Sequence, residues 1–245
     1  MAKPLRLYVE SALSAGAAVP ASEAQAHYLL HVMRRAAADL VTLFNGRDGA
    51  WRARVQIPSK RQVVFAVEDQ VRTQEPTPDL WLAFAPVKRI DVIVEKASEL
   101  GVSSLMPVMT RHTDVSRVNV ERLSAIAIEA AEQCERLSVP AIEPPQTLEA
   151  FLADWPAARR LYFLDETGKG SPIADVLQDH AAPEAAGCGF LVGPEGGFAQ
   201  SELDALGQLP SATGVSLGPR ILRAETAAIA ALACWQALNG DWRRR

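Results

Sequence analysis

Leu191-Val192-Gly193-Pro194-Glu195-Gly196-Gly197-Phe198 and, further on, Leu217-Gly218-Pro219-Arg220-Ile221-Leu222-Arg223-Ala224-Glu225-Thr226 decide the architecture. Each begins at the end of a short apolar run, Gly189–Val192 in one case and Val215–Leu217 in the other. An apolar run closed by glycine and proline reads as a buried strand entering a loop. A helical pattern follows each loop: Ser201–Leu206, which Ser201 can cap, and Arg223–Leu238. In parallel α/β sheets ligands bind beyond the C-terminal ends of the strands. Glycine at such a place lets the backbone approach a flat ligand and adopt positive φ, while proline stiffens its neighbours. Two loops of this kind side by side can clamp an adenine with main-chain donors and acceptors, Ile221 and Leu222 serving as apolar walls. Neither loop is a GxGxxG fingerprint and neither carries the Lys-Ser/Thr of a phosphate-binding P-loop, which argues against NAD and ATP.

Outward from these loops, strands and helices alternate from Leu80 onward. Leu80–Ala85, Ser104–Met109 and Leu161–Leu164 read as strands, and Ile90–Leu100, Val120–Leu137 and Pro172–Leu177 as helices. That alternation predicts an α/β domain with a mainly parallel sheet. The first segment has a different texture. Leu5–Val9, Leu40–Phe44, Trp51–Ile57 and Val63–Val67 are short strand-like runs, with turn signals at Asn45-Gly46 and Asp48-Gly49 and one helical stretch around His27–Arg35. These suggest a small β-barrel. The stretch Thr73–Asp79, with two prolines and two acids, reads as the linker. The expected organisation is residues 1–72 as a barrel, 73–79 as linker and 80–245 as the α/β domain.

The net charge of −4 hides an asymmetry. Residues 1–70 hold nine Lys/Arg, including Lys3 and Lys60, against six acids, so this segment is +3 and the remainder −7. A basic module joined to an acidic one is compatible with phosphate binding by the first. Cys134, Cys188 and Cys234 are far apart, and with His27, His31, His112 and His180 they form no zinc spacing, so reduced thiols and no metal are expected. The longest apolar stretch, Ala224–Leu238, is interrupted by Glu225, Thr226 and Gln236 and is shorter than the ~20 residues of a membrane span. The small-residue run Ala12–Ala18 lacks the bulky centre of a signal peptide. A cytoplasmic location is the expectation.

The GPEGGF loop followed by LGPRILRAETA resembles the RsmE-type 16S ribosomal RNA uridine-N3 methyltransferases of the SPOUT superfamily. Other segments agree: Lys96–Val102 is similar to the family's KxxELG segment and Glu129–Arg136 to its EAAEQxxR helix. His31-Val32-Met33-Arg34 resembles its HxxxVLR segment, with Met33 in place of leucine. One departure is visible. Where the family has a Gly-Asp turn, this chain has Ala38-Asp39, and a small change of turn geometry is expected.

The resemblance implies a C-terminal trefoil knot, built from the last strands and the helix from Arg223, behind a PUA-like N-terminal barrel. It implies a homodimer packed through the knotted domains, with S-adenosylmethionine as cofactor. The cofactor-binding positions it implies are Leu164, Gly193, Pro194, Glu195, Gly196, Gly197, Leu217, Gly218, Ile221 and Leu222. The reaction would methylate N3 of a decoding-region uridine in 16S ribosomal RNA, free or within the small subunit. Arg136 and Arg223 are candidates for stabilising the negative charge that spreads onto O2 and O4 as the N3 proton leaves. Glu99, Glu195 and Glu225 are possible proton acceptors, but structural roles are favoured for all three. Arg6, Arg34, Arg35, Arg52 and Arg54 are the candidates for holding RNA phosphates. Tyr8, Phe44 and Trp51 are read as core residues before stacking platforms. Two alternatives are an RNA ribose 2′-O-methyltransferase and a non-catalytic RNA-binding dimer.

Overall fold

Alternation of inward apolar and outward polar residues makes the first strands. In a computed structural model, which describes residues 5–59, 61–179 and 187–243, they are β1 (Leu5–Tyr8), β2 (Ala18–Pro20), β3 (Leu40–Phe44), β4 (Ala50–Ser59) and β5 (Gln62–Arg72). Lys3, Lys60 and His180 of the sequence reading lie outside the described residues. Between β2 and β3 stands α1 (Glu23–His27), capped by Ser22, whose side chain accepts from Gln25 N while the Gln25 side chain returns to Ser22 N. It continues as a π-helical turn over Tyr28–Val32. The ladder runs β1-β3-β4-β5-β2, with β1–β3 parallel and the other pairs antiparallel. The expected barrel is thus a mixed sheet whose end strands, β1 and β2, are not paired to each other among the described residues.

The rest of the chain comprises β6 (Leu80–Phe84), α2 (Ile90–Glu99), β7 (Ser104–Met109), α3 (Val120–Gln133), β8 (Ala141–Ile142), β9 (Gln146–Thr147) and α4 (Leu148–Asp154). After these come β10 (Arg160–Leu164), β11 (Ser171–Pro172), α5 (Ile173–Asp179), β12 (Cys188–Val192), α6 (Gln200–Gln208), β13 (Ala212–Ser216) and α7 (Ala224–Leu238). The second sheet runs β11-β13-β10-β12-β6-β7-β8, with β9 on β7, and every pair in it is parallel. A parallel strand covered on both faces reads as unbroken apolar sequence. β12, at the centre, is buried at all five positions.

The chain divides into two units, Met1–Pro76 with Ala131–Val139 and Thr77–Ala130 with Pro140–Arg245. The α/β domain expected as one run from residue 80 is therefore interrupted. Ala131 and Leu137 bury their side chains with Phe44 and Ala50, and Arg6 Nη2 donates to the Arg136 carbonyl at 2.9 Å. The helix expected to reach Leu137 ends at Gln133, because Glu135 takes φ +64° and its carbonyl accepts from Arg72 Nη1. Ser201 does not cap α6. Ala199 is the cap residue, and Glu202 reaches back to accept from its N–H at 2.8 Å.

The turn at Ala38-Asp39 places an alanine in the left-handed region, which favours glycine. Ala38 sits at φ +73°, held there by Ala38 N donating to the Val55 carbonyl at 2.8 Å. A left-handed alanine costs roughly 1–2 kcal/mol, of which glycine's extra unfolded-state freedom offsets part. Ala38→Gly should stabilise the first unit by about 0.5–1 kcal/mol, read as a higher urea midpoint. An unchanged or lower midpoint would show that the turn is not strained.

Candidate active site

β13, β10 and β12 lie side by side and run in the same direction. Their C-terminal ends open at one edge of the sheet, and the loops beyond them enclose a cavity of about 200 Å³. Leu164, Gly193, Pro194, Glu195, Gly197, Leu217, Gly218, Ile221 and Leu222 all line it, so the two glycine loops do converge. Gly196 is not among the lining residues; a Cβ placed on it would face His112 Cβ at 3.2 Å. Ile221 is 88% exposed, which makes it part of the rim and not a wall.

Backbone conformation explains two of the glycines. Gly197 has φ +71°, and a Cβ there would collide with Glu166 Oε1. Gly218 has φ +99° with nothing within 4 Å of a Cβ, so its missing side chain leaves open space at the cavity.

A third loop was missed by the sequence reading. Asp165, Glu166 and Gly168, directly after β10, complete the lining. Glu166 Oε1 accepts from Phe198 N at 3.2 Å, tying this loop to the first glycine loop. The signal was present, since the strand-end rule that singled out β12 and β13 applies equally to Leu161–Leu164 and its Asp-Glu-Thr-Gly continuation. The lining combines apolar Leu164, Val192, Leu217 and Leu222 with carboxylates at Asp165, Glu166 and Glu195. These acceptors and apolar walls, with Arg220 also on the lining, suit a ligand with a flat apolar ring, hydroxyls and both cationic and anionic groups.

The charged candidates separate by unit. Arg223 is exposed at the N-cap of α7, its carbonyl accepting from Ala227 N at 2.8 Å. Arg136 belongs to the first unit, where its Nη2 donates to Ser138 Oγ at 3.1 Å. Glu225, in the first turn of α7, is 6% exposed and pairs with Arg89 at 3.4 Å, an ion pair in place of the helix cap expected of it. Glu99 pairs with Lys96, while Glu195 is exposed at the cavity.

Arg6 was expected to meet phosphate, yet it is half-buried. Besides holding the Arg136 carbonyl, it lies over the Phe44 ring at 4.9 Å, and burial lowers its pKa. Its guanidinium serves the interior of the first unit. Arg34 is exposed at φ +49°. Arg35, Arg52 and Arg54 pair with Asp39, Asp69 and Glu68 at 3.8, 3.3 and 2.7 Å. Exposed pairs of this kind are worth little, so these cations can exchange a carboxylate for a phosphate. Phe44 is fully buried, and Trp51 Nε1 donates to the Asp48 carbonyl at 2.7 Å.

Among the described residues no three His, Cys, Asp or Glu side chains gather as a metal site, and no helix is long and apolar enough to cross a membrane. Cys188 is buried, which pushes its thiol up to about 12 and keeps it protonated at neutral pH.

Comparison with known proteins agrees with this geometry. Residues 73–236 match the model of the RNA methyltransferase domain, and residues 22–68 that of the RNA methyltransferase PUA domain. The ribosomal RNA small subunit methyltransferase E of Rickettsia conorii is 33% identical, over 93% of each chain. The Synechocystis protein of the same name is 32% identical over 91% of this chain and 74% of its own. A crystal structure of the Neisseria gonorrhoeae ribosomal RNA small subunit methyltransferase E, bound to S-adenosyl methionine, superposes with a TM-score of 0.86. It is 28% identical and covers 98% of this chain and 100% of that one.

Proposed function

Because the chain belongs to the RNA methyltransferase family that includes the ribosomal RNA small subunit methyltransferases E, we propose that it methylates N3 of a decoding-region uridine in 16S ribosomal RNA, with S-adenosylmethionine as the methyl donor. One observation carries the reading: both glycine loops and the Asp165–Gly168 loop line a single cavity at the C-terminal ends of three adjacent parallel strands. The residues there fit the cofactor. Leu164, Leu217 and Leu222 offer apolar surface to an adenine, and Asp165 and Glu166 offer acceptors to hydroxyl or ammonium groups. When bound, S-adenosylmethionine supplies an electrophilic methyl group on a sulfonium.

The chain's own residues do the rest. Gly218 keeps space open for the ligand, and the loop walls hold it for an in-line approach of the acceptor nitrogen. Uridine N3 holds its proton until negative charge can spread onto O2 and O4. Arg136 and Arg223 are the proposed donors to those oxygens. The target base must leave any stack to react. The first unit, with Arg34, Arg35, Arg52 and Arg54, is the proposed RNA-holding module. The remaining parts of the reading are a trefoil knot built from the last strands and α7, a homodimer packed through that domain, and a cytoplasmic site of action.

Calorimetric titration should give a dissociation constant around micromolar for S-adenosylmethionine, about −8 kcal/mol. Nucleoside mass spectrometry of treated 16S RNA should find 3-methyluridine. A ribose-methylated product would transfer the reading to 2′-O chemistry, and absence of heat with both the cofactor and S-adenosylhomocysteine would remove it. Arg136→Ala should lower kcat much more than RNA affinity; equal losses would make Arg136 a binding residue only.

A further inference from the structure

Outside the cavity lining, a buried carboxylate and an imidazole join two loops of the second unit. Glu202, in the first turn of α6, is 8% exposed. Its Oε2 accepts from Ala199 N at 2.8 Å, at the end of the first glycine loop. Its Oε1 accepts from Arg111 N, also at 2.8 Å, in the loop after β7. One carboxylate thus satisfies two main-chain donors from separate segments. The next residue of that second loop, His112, places Nδ1 3.0 Å from the Gly197 carbonyl. A carbonyl only accepts, so Nδ1 carries the proton. The same imidazole backs Gly196, whose Cβ position faces His112 Cβ at 3.2 Å. The loop after β7 is also bonded to itself: Thr110 N donates to Thr113 Oγ1 at 3.0 Å, and the Thr110 and Thr113 hydroxyls lie 2.9 Å apart.

We propose that Glu202 and His112 are positioning residues for methyl transfer, which clamp the loop after β7 to the glycine loop and so fix the Gly193–Gly197 wall of the cavity. The proposal rests on the cofactor reading of that cavity. Neither side chain lines the cavity, so neither is a catalytic residue. Their effect passes through the Gly197 peptide, which bonds His112 on one side and lines the cavity on the other. Without the clamp, the loop would have to be ordered at the moment of binding, and that cost would appear as lost affinity.

The test uses the full chain. His112→Ala should weaken S-adenosylmethionine binding about tenfold in calorimetry, the scale of one lost hydrogen bond. His112→Asn, whose side-chain amide can donate to the Gly197 carbonyl as Nδ1 does, should restore affinity to within about twofold. Glu202→Gln keeps one acceptor oxygen for two donors and should weaken binding about tenfold as well. Amide hydrogen exchange of the cofactor-free chain gives a second readout: Arg111 and Ala199 should lose protection in Glu202→Gln. Wild-type affinity in His112→Ala and Glu202→Gln, or failure of His112→Asn to restore binding, would overturn the proposal. If the unaltered chain gives no heat with the cofactor, the functional reading fails. Exchange at Arg111 and Ala199 then still decides whether the clamp exists.

Discussion

Gly218→Val is expected to weaken S-adenosylmethionine binding at least about a hundredfold, or 2.7 kcal/mol, while the chain stays folded. Gly218 follows the end of β13, with its N–H donated to Ser216 Oγ at 3.2 Å and φ at +99°. Apart from its own chain neighbours, no protein atom lies within 4 Å of a Cβ at this position, so a side chain there starts out into open space. The methyl groups of valine would enter the space that the cavity keeps open. The backbone would also have to leave the positive-φ region, moving Leu217 and Pro219, which line the same cavity. The strain needs separating from the blockage. Gly16→Val provides that control: φ is +81° there, a Cβ again meets nothing within 4 Å, and the residue belongs to the first unit. It should lower stability and leave cofactor affinity unchanged. Equal affinity in Gly218→Val and the unaltered chain would detach the cavity from the cofactor.

The parts of this fold that were legible were those fixed by local pattern. β3 and β7 begin and end where their apolar runs do, and β12 is buried along its length because parallel strands covered on both faces need no polar residue. β8, β9 and β11, two residues each, carry too short a pattern to read and are defined only by their partners in the sheet. Glycine and proline at one strand end mark no more than a tight turn, and the two loops were legible because they occur together, in this order, with Leu222–Thr226 opening the last helix. What escaped was long-range. Glu202 lay hidden because its cap residue is Ala199, which lacks the hydroxyl that marks a capping box, and the neighbouring Ser201 offered a more familiar signal. Ala131–Val139 joins the first unit through packing on Phe44 and Ala50 and through Arg6 and Arg72 reaching carbonyls more than sixty residues away, pairings that no local spacing encodes. Arg6 looked like a phosphate contact for the same reason. Charge is visible in a sequence, whereas burial against Phe44 is not.

Phe190→Ala should cost about 3–5 kcal/mol, the ordinary range for deleting a fully buried aromatic ring. Phe190 is 0% exposed at the middle of β12, which is hydrogen-bonded to β10 on one side and β6 on the other. Its ring lies 5.3 Å from that of Tyr162 on β10. Removing it leaves a void beneath two of the three strands whose ends carry the cavity. For a unit of this size the loss corresponds to a fall in Tm of roughly 6–20 °C. Phe65→Ala is the matching change in the first unit, where Phe65 is also 0% exposed but within a separate core. Cofactor binding distinguishes the two, because a ligand raises the melting of the unit that holds it. S-adenosylmethionine should raise the transition that Phe190→Ala lowers, and should leave in place any separate transition that Phe65→Ala lowers. The reverse pattern, with the cofactor protecting only the transition lowered by Phe65→Ala, would move the binding site out of the parallel sheet.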